Sequence, residues 1–270
     1  VSALLVGISL KMYFGRRRTA QWCQAVADIA DTHPAVLDGH VKLVVLPSFL
    51  YVIDALDIFA QTPVDVGGQD LFWTDKGAFT GEVSGAQLAE IGCRYVEIGH
   101  AERRRIFRED GDVIAAKTAA AFRNDLTPIL CVGETLRDTA ASAAEECRAQ
   151  LDSALSASSG EMASGPVVVA YEPQWAIGAA EPASADHITD VSRALRSHLD
   201  SMPRLAGSRV IYGGSAGPGL FTELSDGVDG LFLGRFAHDP AAVELILTEM
   251  LADPRSPLAA APGSDKGWQR

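Results

Sequence analysis

Residues Val167 to Gly178 read Val-Val-Val-Ala-Tyr-Glu-Pro-Gln-Trp-Ala-Ile-Gly, an apolar run that ends on a carboxylate and is stopped at once by proline. Such a run fits a fully buried strand, and Pro173 prevents strand pairing from continuing. In a parallel barrel the site lies at the carboxyl ends of the strands, so Glu172 stands where chemistry is done. An acid at a strand end equally suits a helix cap or an arginine partner, and the flanking chain has to separate these readings.

Working outward, the same grammar recurs. Strands are expected at Leu4–Ile8, Val41–Pro47, Val64–Gly68, Arg94–Ile98, Thr127–Val132, Arg209–Tyr212 and Gly230–Leu233, alternating with helical spacing such as Thr19–Ala30 and Phe49–Phe59. Ser84 and Gln87 have capping-box spacing, a helix is expected to begin near Asp112, and Asp239-Pro240 suits the start of the last helix. With the opening stretch these make eight strands. Polar, charged or glycine-rich groups follow nearly every one, which favours a single (β/α)8 barrel over a doubly wound sheet. The barrel domain is expected over residues 1–252, and the Pro-, Ala- and Gly-rich residues 253–270 read as a tail.

Composition narrows the function. A chain of 270 residues, 47% hydrophobic and 21% charged, suits one barrel of the usual ~250 residues. The formal charge of −12 argues against nucleic acid or an anionic membrane as partner. No apolar run is long enough for a membrane span, and a cytoplasmic location is expected. Cys23, Cys93, Cys131 and Cys147 have no CxxC spacing and read as buried thiols, neither metal nor redox sites. No dinucleotide or P-loop pattern occurs, so a nucleotide cofactor is not indicated.

Glu172 needs an electrophile opposite it. His100 and Lys11 follow other strand ends and face the same mouth, a set suited to proton abstraction beside a carbonyl: the carboxylate takes the proton while imidazole and ammonium stabilise the enediolate oxygen. A helix start after His100 would favour neutral imidazole. Glu102 suits either direct participation or holding Lys11, and Arg103 to Arg105 suit a solvated or ion-paired helix start. Gly213-Gly214-Ser215 and Gly234, with Gly178, can offer backbone N–H groups to a phosphate.

Taken together, Lys11-Met12, Gly77 to Ser84, Gly99 to Arg104, Cys131 to Thr135, Ala170 to Gly178 and Tyr212 to Ser215 resemble triosephosphate isomerase, over about Leu4 to Leu251. The resemblance implies a cofactor-free isomerase with Glu172 as base, His100 as electrophile and Lys11 as the substrate-binding cation. Gly178, Ser215 and Gly234 would hold phosphate, and Trp175 would belong to the hinge of a closing lid. It also implies a homodimer built on the third loop, Asp70 to Glu82, which carries Phe72, Trp73 and Phe79. Two departures stand out: Ser9-Leu10-Lys11 replaces the family's usual Asn-Trp-Lys, and Gly234-Arg235 replaces Gly-Gly. Ser9, Arg235 and Trp73-Thr74-Asp75 are similar to the branch of the family that isomerises L-erythrulose 1-phosphate. Triosephosphate isomerase itself and a non-catalytic sugar-phosphate-binding barrel are the alternatives.

Overall fold

The computed structural model describes residues 3–156, 164–178, 182–253 and 255. Eight parallel strands close on themselves in chain order: β1 (Leu4–Ser9), β2 (Val41–Leu46), β3 (Val64–Gly68), β4 (Tyr95–Ile98), β5 (Thr127–Val132), β6 (Val168–Tyr171), β7 (Arg209–Tyr212) and β8 (Gly230–Leu233). The barrel closes through Leu5↔Gly230 to Ile8↔Leu233. All eight expected strands are present, with bounds within two residues of the sequence reading.

Alternation along each strand sorts the residues into two layers. Leu5, Val44, Leu46, Tyr95, Ile129, Cys131, Val168, Ala170, Ile211 and Phe232 fill the barrel interior. The opposite faces pack against helices, and those helices carry matching stripes. In Arg16–Ala30 the buried side chains include Trp22, Cys23, Val26, Ala27 and Ala30, spaced as one face of a 3.6-residue period. Trp22 donates its indole N–H to Ala237 O at 2.7 Å, tying this helix to the turn after β8. Helix starts are set by side chains: Ser84 and Gln87 form the expected reciprocal cap, Thr139 caps Ala140–Ala154, and Asp239 caps Pro240–Leu251. Each such cap contributes about 1 kcal/mol.

Two differences from the sequence reading matter. The first helix starts at Arg16, so the basic cluster belongs to it. More important, a short helix, Ala101–Ile106, precedes the expected one at Gly111–Arg123. Three consecutive arginines disguise it, yet two of them make structural bonds. Arg103 pairs with Glu109 at 2.6 Å and Asp70 at 2.7 Å, and Arg104 donates to Gly99 O and Cys131 O. All four cysteines are free and buried. Among the described residues no helix is long and apolar enough to cross a membrane. Apart from Asp253 and Arg255, the expected tail lies outside the described residues, and so do residues 179–181.

Candidate active site

The barrel's carboxyl ends surround a cavity of about 780 Å³, lined by Lys11, Glu102, Arg105, Gly178, Ser215, Gly234 and Arg235 among others. Each group arrives there because the strand beneath it has ended. Lys11 lies two residues past β1 and has φ 48°, a left-handed backbone that costs a non-glycine residue about 1–2 kcal/mol. The conformation is held by Gln69, whose Nε2 donates to Lys11 O at 3.0 Å and to Leu46 O at 2.9 Å. The ammonium donates to Glu102 Oε1 at 2.8 Å, so Glu102 does hold Lys11. Burial works against the Lys11 charge, but the hydrogen bond and charge of Glu102 outweigh it and hold the pKa above the ordinary lysine value.

His100 is the N-cap of the short helix, and its Nδ1 accepts from the Glu102 N–H at 3.1 Å. An accepting Nδ1 puts the proton of a neutral ring on Nε2. Burial, followed by the Lys11 charge, pushes the His100 pKa down to about 4, so the ring is neutral at physiological pH. Its Nε2 stands 3.4 Å from Glu172 Oε2. That oxygen is buried and makes no hydrogen bond. Burial, and then the negative charge of Glu97, raise the Glu172 pKa to about 8. A desolvated carboxylate with one unsatisfied oxygen beside an N–H donor is a reactive arrangement, able to take a proton and to stabilise the charge left behind.

The first glycine after β7 is tied into the sheet. Gly213 donates its N–H to Tyr171 O at 2.9 Å, so that N–H is consumed by the sheet rather than open to an anion. Its service is space: a Cβ there would lie 2.6 Å from Glu172 Oε1. Likewise a Cβ on Gly214 would lie 2.5 Å from Tyr212 Oη. Gly178, Ser215, Gly234 and Arg235 line the cavity together. Gly178 has φ 73°, open to glycine and strained for other residues, and a Cβ on it would sit 3.5 Å from Arg235 Nη2. The exposed Arg235 guanidinium therefore turns along the cavity rim toward the sixth loop. Ser215 also has a left-handed backbone, and its Oγ donates to Ala176 O at 3.0 Å, joining the β7 loop to the turn after Glu172.

Trp175, expected at a hinge, is pinned by its indole N–H to Glu134 Oε1 at 2.8 Å. The same oxygen receives Tyr171 Oη at 3.2 Å and lies 3.1 Å from His187 Nε2. On the far side of the strand, Tyr212 Oη accepts from the Ala183 N–H at 3.3 Å. Both ends of the loop beyond β6 are thus tied to neighbouring strand ends.

One site residue escapes the sequence reading. Glu97 points into the barrel from β4, is 3% exposed, and accepts from Ser9 Oγ at 2.9 Å. Burial pushes its pKa up to about 7. Its signal in the sequence is a single acid inside the buried run Tyr95-Val96-Glu97-Ile98, which reads simply as part of an apolar strand.

Comparison with known proteins agrees with this geometry. Residues 4–250 match the family model described as triosephosphate isomerase. An L-erythrulose-1-phosphate isomerase of Pectobacterium atrosepticum is 55% identical over 91% of this chain and 95% of its own length. A triosephosphate isomerase of Moorella thermoacetica is 39% identical over 79% of this chain and 88% of its own. An L-erythrulose-1-phosphate isomerase of Rhizobium etli is 37% identical over 86% of each.

Proposed function

Since the chain belongs to the triosephosphate isomerase family, we propose that its sugar-phosphate isomerase chemistry acts on a four-carbon ketose phosphate, converting L-erythrulose 1-phosphate to D-erythrulose 4-phosphate. Glu172 removes the proton from C3 of the substrate. The C2 carbonyl oxygen receives hydrogen bonds from His100 Nε2–H and the Lys11 ammonium as it becomes the enediolate oxygen. A proton then passes from the C3 hydroxyl to O2 by way of His100, and protonated Glu172 returns a proton to C2. The carbonyl has moved from C2 to C3, and no atom beyond the shuttled protons is exchanged. Glu102 orients Lys11, and the phosphate lies against the N–H groups of the loops carrying Gly178, Ser215 and Gly234, with Arg235 at the rim. Water excluded around the enediolate strengthens each of these contacts and protects the intermediate.

The observation that carries the four-carbon reading is Ser9. It is shorter than the asparagine usual in the family, and it lies in a chain 55% identical to a relative named for that substrate. Triosephosphate isomerase activity is the second reading, supported by the Moorella relative. Purified protein assayed with both substrates separates them. The expected result is a kcat/KM at least about 100-fold higher for L-erythrulose 1-phosphate than for glyceraldehyde 3-phosphate, because a site built to bond a substrate hydroxyl rejects an analogue lacking it. A larger value for the triose would sink the assignment.

The third loop supports a homodimer. Phe72 is buried, with Trp73 stacked on it at 4.0 Å and Phe79 at 4.5 Å, yet Trp73 and Phe79 remain about 40% exposed. Met12 (91% exposed), Leu50 (82%) and Ile53 (60%) project from the segments after β1 and β2. Neighbouring loops with this much apolar surface suit docking onto a second copy. Sedimentation should give the mass of two chains, falling to one for a Trp73→Asp, Phe79→Asp variant; a monomeric parent would refute the dimer.

A further inference from the structure

We propose that the buried Ser9–Glu97 pair determines specificity, receiving the terminal hydroxymethyl group that a four-carbon ketose phosphate carries and a triose phosphate lacks. The inference rests on the four-carbon reading above. Every residue of β4 is buried, and three of the four are apolar or aromatic. Placing a carboxyl among them is costly unless partners offset the loss of water. The visible partners are few. Oε2 accepts from Ser9 Oγ at 2.9 Å, and among the described residues Oε1 has only the Cys131 thiol at 4.0 Å. Glu97 joins none of the ion pairs among the described residues; the ammonium of Lys11 acts on it only at a distance, being bonded to Glu102. A buried carboxyl so thinly satisfied has capacity left for a ligand donor.

Its depth fits the extra group. Gly178, Ser215, Gly234, Arg235 and Lys11 line the cavity, and Glu172 and His100 are buried 3.4 Å from each other at the same strand ends. Ser9 is the last residue of β1, two residues before Lys11, and is buried, and Glu97 reaches it from β4. A ketose phosphate held by its phosphate at the mouth and by its mobile proton at Glu172 directs the substituent remote from phosphate into the barrel, toward this pair. There the terminal hydroxyl donates to Glu97 Oε1, while Ser9 keeps its own O–H on Oε2. A triose phosphate ends in hydrogen at that point and leaves the carboxyl unmatched. Sites built to bond a substrate hydroxyl discriminate strongly against analogues lacking it.

The test compares Glu97→Leu and the isosteric Glu97→Gln with the parent, on L-erythrulose 1-phosphate and on dihydroxyacetone phosphate. Glu97→Leu should lower kcat/KM for the tetrulose about 100-fold more than that for the triose, since any effect through the Glu172 base falls on both substrates alike. Glu97→Gln should shift the ratio the same way by about 10-fold, and it reads the proposal even if Glu97→Leu does not fold. Equal losses on both substrates, or an unchanged ratio, would overturn the pair's role while leaving the four-carbon reading standing. A parent active only on the triose would overturn that reading first, and this inference with it.

Discussion

Glu172→Asp is expected to lower kcat by about 100- to 1000-fold while the circular dichroism spectrum and Tm stay close to the parent's. The substitution withdraws the carboxylate by one methylene, and a displacement of about 1 Å costs on the order of 100-fold in rate when the reaction depends on alignment. The pocket has little means of compensating. Gly213 leaves space on one side, but Pro173 fixes the chain after the carboxylate, and Gly213 N–H to Tyr171 O fixes the strand beside it. The nearest donor, His100 Nε2, is itself held by the bond from Glu102 N–H to Nδ1. Because the change acts on the proton-transfer step, KM should move far less than kcat. Near-parental turnover would remove Glu172 from the role of base.

The second large effect is on stability against pH. Glu172 is raised to about 8 and Glu97 to about 7, both from 4.5, and burial is the leading cause for each. The folded protein therefore keeps protons that the unfolded chain gives up, and these two groups lower stability as pH rises from about 4.5 to about 8. His100 acts in the opposite sense. Its pKa falls from 6.5 to about 4, so its contribution grows between those values and is complete above about pH 6.5. Carboxylates held below their ordinary range, Glu102 and Asp75 among them, add stability that is lost only in acid. Net stability should thus fall between about pH 6.5 and about pH 8. Glu172→Gln removes one of the two responsible groups, so it should exceed the parent in stability by on the order of 3 kcal/mol at about pH 8 and match it near pH 5. Urea denaturation at the two pH values measures this. A variant no more stable than the parent at the higher pH would show that the Glu172 carboxyl is not held in a charge-disfavouring site.

The strand ends are the most legible part of this chain because two signals coincide there. Strand periodicity gives way to glycine, proline or a charged residue within one or two positions, and closure of the barrel makes all such positions neighbours. That is why Lys11, His100 and Glu172, up to 161 positions apart by number, can be assigned to one mouth from sequence alone. Pairings across the mouth are less legible. Spacing leaves Glu102 free to serve substrate or Lys11, since it carries no information on which of two short loops faces which; the 2.8 Å contact with Lys11 supplies it. The Gly213-Gly214 dipeptide reads as an anion cradle by composition, but its glycines are demanded by the Glu172 carboxyl and the Tyr212 hydroxyl packed against them. Ala101–Ile106 is hidden for the opposite reason: its arginines look like solvated charge, whereas Arg103 and Arg104 are committed to Asp70, Glu109 and two backbone carbonyls.

Glu97 shows where pattern reading fails most usefully. An acid at an inward position of a buried strand breaks the local rule, and such breaks concentrate where structure serves function. With Ser9 it forms a buried polar pair inside the barrel. The departure at Ser9, which by sequence is simple extra volume, becomes half of a hydrogen-bonded pair.

Solvent exchange tests the central claim most directly. Protein incubated with L-erythrulose 1-phosphate in D2O, followed by NMR, should yield D-erythrulose 4-phosphate carrying deuterium on the carbon that was C2 of the substrate, because the proton taken by Glu172 exchanges with solvent before it is returned. Product formed without deuterium on carbon, or unaltered substrate at full occupancy of the site, would contradict proton abstraction by Glu172 as the reaction of this barrel.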